Sequence, residues 1–168
     1  MALIGHLQTA CLVAFAVLVI GAGWQDLRTT RIPNGISLAT VATFTVWAAA
    51  GIAVGRMASL TVAISLACSL VVFVIAAAGF GAGVIGGGDV KLLSAASLFA
   101  GPSHLVDFLL VTAIAGGVLG LAFLAGVPIG GAVPATDATD RRQRRSGLPY
   151  GPAIAAGGLW VAATLYAW

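Results

Sequence analysis

Charge is scarce in this sequence, and that scarcity constrains it more than any other feature. Only 13 of 168 residues are formally charged, 8% of the chain, where a soluble domain carries about 25%. Sixty per cent of the residues are hydrophobic and the mean hydropathy is +1.08. So few charges cannot cover a water-facing surface, so an ordinary soluble globular protein is excluded. A spanning helix takes about 20 apolar residues. The length therefore predicts a single all-α domain over residues 1–168, a polytopic membrane protein with six transmembrane helices and short loops. Cys11 and Cys68 lie singly in apolar runs. Without a C-x-x-C pair, neither a zinc site nor a disulfide framework is supported. No metal and no cofactor is expected.

The apolar runs predict spans at Leu3–Gly23, Ile36–Val54, Ala58–Phe80, Val84–Ala100, Leu105–Val127 and Gly151–Trp168. The fourth borrows residues from the glycine cluster GFGAGVIGGGD, which places Asp89 about one turn inside the membrane boundary. Pro102-Ser103-His104 reads as the turn into the fifth span, and Asn34 as a cap of the second helix. With six spans, Arg28, Arg31, Lys91, Arg141, Arg142, Arg144 and Arg145 fall on one side, and only Arg56 on the other. Lys and Arg collect in cytoplasmic loops, so the seven belong to the cytoplasm and both termini lie outside. No Lys or Arg precedes Arg28. A secretory signal has a basic n-region, so the first span is expected to persist in the mature protein.

All five acids are Asp. Asp26 follows the first span and Asp89 opens the fourth, so both reach the cytoplasmic face. An ionisable group at that boundary is a functional candidate. Two carboxylates about 3 Å apart cannot both ionise and share one proton. One then acts as general base on a water, and the other polarises a peptide carbonyl and protonates the leaving amine. The bland readings are an Asp26 paired with Arg28 or Arg31, and an Asp89 that caps the fourth helix. Asp107, His6 and His104 fall on the outer side. Asp137 and Asp140 share the longest loop with RRQRR, a topology determinant or lipid-headgroup contact rather than a nucleic-acid patch.

Three segments together resemble type IV prepilin peptidases, the membrane aspartyl proteases that process pilin precursors. GGGDVKLL is similar to their GxGD-x-K-L segment. Asp26-Leu27-Arg28 with Arg31-Ile32-Pro33-Asn34 resembles their first catalytic segment, and Pro149-Tyr150-Gly151-Pro152 their P-[YF]-G-P segment. The resemblance implies that Asp26 and Asp89 are the catalytic pair. It makes Gly86, Gly88, Lys91, Pro33, Asn34, Pro149, Gly151 and Pro152 residues that support the site. It implies a prepilin-like protein substrate, cut at the cytoplasmic boundary of the inner membrane. The larger members carry a cytoplasmic insertion with paired C-x-x-C motifs and often N-methylate the new pilin N-terminus. This chain has no such insertion, so it is similar to the compact branch of Tad/Flp-pilus and preflagellin peptidases, and no methyltransferase activity is expected.

Two other readings share these features. A presenilin or signal-peptide-peptidase type of protease also carries GxGD, but places its first Asp within a span, whereas Asp26 lies beside Trp24, Arg28 and Arg31. A transporter or assembly scaffold would use the acids in an ion path or in helix packing. Transporters favour acids near mid-membrane, and these two lie at one boundary.

Overall fold

The computed structural model describes residues 2–127, 129 and 149–167. The arginine loop with Asp137 and Asp140 lies outside them. Among the described residues the fold is all-α. Five helices follow in order: α1 (Ala2–Thr29), α2 (Asn34–Ala53), α3 (Ser59–Gly81), α4 (Gly87–Leu124) and α5 (Gly151–Ala167). Four of them are long and apolar enough to cross a membrane, and α5, at 17 residues, is a shorter apolar helix.

The helix ends correct several expected boundaries. α1 does not stop at Gly23 but carries the polar segment Trp24–Arg28 as further helical turns. Nothing in that segment breaks a helix. The break comes at Thr30, whose φ of 49° is left-handed, and at Pro33, whose ring sets φ near −65°. Pro33 itself occupies the N-cap of α2, at φ −64° and ψ 141°, and makes no side-chain cap bond. Asn34 is therefore the first helical residue and not the cap, and its side chain is engaged elsewhere.

The expected fourth and fifth spans run together as α4. The expected turn at Pro102-Ser103-His104 is helical, and the break is one residue earlier, at Gly101 (φ 53°, ψ −168°). A glycine adopts that left-handed backbone without a Cβ clash. Pro102 reinforces the break, because it has no N–H to donate back into the preceding turn. Were α4 straight, Asp89 and Gly116 would lie about 40 Å apart at 1.5 Å per residue. Instead Asp89 is near Asp26, which touches Gly151, and Gly116 lies against the neighbouring Tyr150. α4 thus folds back at Gly101, and its two arms return to the same end of the molecule.

The first arm of α4 is the centre of the fold, with every residue from Ser94 to Gly101 buried. Phe99 stacks on Phe15 of α1 at 4.1 Å and meets Phe44 of α2 edge-on at 5.4 Å. Glycines let the other helices approach closely. Gly157 of α5 lies against the Phe108 carbonyl and Thr112 of the second arm, and Gly158 against Val19 of α1. Small residues at crossings suit helices in lipid, where packing rather than apolar burial drives association. Hydroxyls within the helices return to their own backbone, as when Thr40 donates to the Ile36 carbonyl at 2.9 Å. α3 shows its large side chains outward, with Leu60, Leu70 and Ile75 all strongly exposed.

Candidate active site

Asp26 lies one turn before the end of α1. α5 begins with Tyr150 at its N-cap, since the Tyr150 carbonyl accepts the first helical bond from Ile154 N–H at 3.1 Å. The first amides of a helix have no partner within it. One of them, Gly151 N–H, donates to Asp26 Oδ2 at 2.7 Å. The carboxylate of α1 thus sits on the positive end of the α5 dipole. Gly151 is required for that approach, because a Cβ there would stand 2.6 Å from Asp26 Cβ and 2.9 Å from Oδ2. Pro152 follows within the first turn, where its missing N–H leaves no bond unmade. Pro149 is fully buried.

Asp89 is the third residue of α4. The N-cap is Gly86, with φ −73° and ψ 145°, so Asp89 does not occupy the cap position. Its Oδ2 lies beside the Gly86 backbone instead. A Cβ on Gly86 would stand 2.6 Å from Asp89 Oδ2. Gly88 lets the Ile32 segment pass close by, since a Cβ there would stand 3.1 Å from Ile32 Cβ.

The two carboxylates are brought together. Asp26 is 4% and Asp89 9% exposed, and they lie close enough for their charges to act on each other. Asp89 Oδ1 is buried and has no hydrogen-bond partner among the described residues. Buried carboxylate oxygens are ordinarily satisfied, so a free one beside a second carboxylate is available to a reacting group. Neither aspartate is within ion-pair distance of a cation among the described residues, where the sole such pair is His104 with Asp107 at 4.0 Å. Arg28 stacks on Trp24 instead, 4.7 Å from the ring centroid. The pairing of Asp26 with Arg28 or Arg31 is therefore not what holds the group.

Lys91 and Asn34 form a separate link. Lys91 Nζ donates to Asn34 Oδ1 at 2.8 Å, tying the start of α2 to α4. This is where the Asn34 side chain goes in place of capping its helix. The sequence reading did not single out Gly23. That residue lets α1 approach α5 beside the site, where a Cβ would meet Pro152 Cα and Ala155 Cβ at 3.2 Å. Its signal was present, a glycine shortly before Asp26, but one glycine among 23 carries little weight alone.

The model of the type IV leader peptidase family matches residues 12–121. The chain belongs to this family. It is accordingly a membrane protein and a protease of the leader-peptidase type. No curated protein sequence and no solved structure matches it. The matched span includes Asp26 and Asp89 but ends before Pro149, so the contribution of Gly151 rests on its hydrogen bond to Asp26. The gap between α1 and α2 is only residues 30–33, which leaves no room for a cytoplasmic insertion there.

Proposed function

We propose that the chain is a membrane aspartyl endopeptidase that removes the short basic leader from type IV prepilin-like precursors. The observation that supports this reading is that Asp26 and Asp89 are two buried carboxylates, from helices α1 and α4, near enough for their charges to act on each other. In this reading the chain crosses the inner membrane six times, with the two arms of α4 as separate crossings. Both termini lie outside and the dyad faces the cytoplasm, where Trp24 and Arg28 mark the boundary. Lipid and the precursor are its partners.

One carboxylate takes a proton from a water molecule as the water oxygen bonds to the scissile carbonyl carbon. The other, carrying the shared proton, gives it to the carbonyl oxygen. The tetrahedral species then collapses. The C–N bond breaks, the first carboxyl passes its proton to the leaving nitrogen, and the second recovers one from the hydroxyl. The site ends as it began, with one proton on the pair, so no further cofactor enters the balance. Gly86 keeps a side chain away from the Asp89 carboxylate that a substrate backbone would approach, while Gly88 makes room for the Ile32 segment.

The test is processing of a cognate prepilin in detergent by Asp26→Asn and Asp89→Asn. Each variant should fold, insert and lose cleavage. The amide oxygen of Asp26→Asn would still accept from Gly151 N–H, so stability separates helix capping from catalysis. Leader removal by either variant at near the parent rate would overturn the dyad.

A further inference from the structure

A groove of about 600 Å³ opens beside Lys91, just beyond Asp89 on α4. Three helices line it with one spacing. α4 contributes Lys91, Ser94, Ala95 and Leu98, at i, i+3, i+4 and i+7. α2 repeats that spacing from Asn34 to Val41, and α3 from Leu66 to Phe73. Each stripe is two helical turns, about 10 Å long. α2 and α3 pack on α4 far more than on each other, so the groove is open sideways between them. Its floor is small and apolar. Ser69 Oγ donates to the Ser94 carbonyl and Ser94 Oγ to the Val90 carbonyl, both at 2.7 Å, so both hydroxyls are occupied by the protein's own backbone. Its walls are outward-standing leucines, Leu38 at 70% and Leu70 at 63% exposed.

Resting on the protease reading above, we infer that this groove seats the first two turns of the substrate's apolar helix, which enters sideways from the bilayer. The lining stripes run from the level of the carboxylates toward the membrane interior. Lys91 is only about 3 Å along the axis from Asp89. A helix lying on the stripes therefore presents its cytoplasmic end, where the leader begins, at the dyad. A lateral opening is what an occupant already held in the bilayer needs. Small residues on the floor let one more helix approach closely. Lys91, the sole charge in the groove among the described residues, stands at its mouth. An ammonium has three donors, and only one is used on Asn34. The others face carbonyl oxygens of the non-helical stretch around the cut bond.

The test uses the full chain with Cys11→Ser and Cys68→Ser. Leu38→Cys or Leu70→Cys is paired with prepilins that carry one cysteine at successive positions of the first two turns after the cut. Oxidative coupling should follow a helical period of about 3.6 residues, and Leu121→Cys, on the exposed face of the second α4 arm, should couple at none of them. In parallel, Leu38→Trp and Leu70→Trp should lower kcat/KM on full-length prepilin by about tenfold, mainly through KM, from lost burial of the docked helix. The same variants should cleave a peptide of leader and junction without the apolar helix as the parent does. If prepilin cleavage is unchanged and coupling is no better than at Leu121→Cys, the groove holds lipid and the inference fails while the protease reading stands. If the parent cleaves neither prepilin nor peptide, both fail together.

Discussion

Gly151→Ala is the sharpest test of how the site is held. The added Cβ would lie 2.6 Å from Asp26 Cβ, against the 3.4 Å at which such atoms meet without strain, a shortfall of about 0.8 Å. The backbone of α5 is fixed by burial of Pro149, Gly151 and Ala153, and α1 by its packing on α5 through Gly23. Rotating the Asp26 side chain leaves its Cβ in place, so the clash must force these two well-packed helices apart at this point, drawing the carboxylate away from Gly151 N–H and breaking the 2.7 Å bond. A hydrogen bond to a charged group contributes about 1.5–3 kcal/mol, and a displacement near 1 Å in a reacting group costs about 100-fold in rate. The expected outcome is a fall in kcat/KM on prepilin of about 100-fold, with thermal stability in detergent lowered by about 1–3 kcal/mol. Gly23→Ala is the control. It crowds the same helix pair, at 3.2 Å from Pro152 Cα, without touching the carboxylate, so it should lower stability with a much smaller loss of turnover. Activity of Gly151→Ala within about twofold of the parent would refute the assigned geometry.

Further outcomes follow from the same contacts. Gly86→Ala keeps an ordinary φ of −73° but pushes on Asp89 Oδ2, so processing should fall at least about tenfold, roughly 1.4 kcal/mol in barrier, while the melting temperature hardly moves. Gly101→Ala forces a side chain into φ 53° and against Ser65 Oγ at 2.9 Å. It should destabilise by about 1–3 kcal/mol, seen in detergent thermal unfolding. Phe99→Ala removes the ring that joins α1, α2 and α4, and should destabilise by about 3 kcal/mol or more. The pH profile of kcat/KM should be bell-shaped, because the dyad works only with one proton on the pair, and Asp26→Asn and Asp89→Asn should each be inactive at every pH.

The all-α architecture was legible because only helices and closed barrels satisfy backbone polar groups in lipid, and unbroken apolar runs of about 20 residues lack the alternation of a barrel strand. The third helix was legible almost to the residue, since its run is bounded by polar and glycine-rich ends. The two aspartates were legible because so few acids had to be weighed. Boundaries that depend on local polarity were not. Trp24–Arg28 reads as a loop by composition, yet helix propensity does not break there, so Asp26 is helical. Asn34 reads as a cap by its type, but Lys91, 57 residues away, takes its side chain.

The sequence by itself determined that this chain is a bundle of apolar helices with Asp26 and Asp89 at the ends of apolar runs, because hydropathy and charge act locally along the chain. Only the tertiary structure decided what those acids touch. The reversal at Gly101 brings both ends of α4 to the same side, and the missing Cβ of Gly151 lets a helix amide 125 residues from Asp26 reach its carboxylate. A contact over such a separation depends on how helices cross, and crossing is set by packing of side chains that no local pattern records.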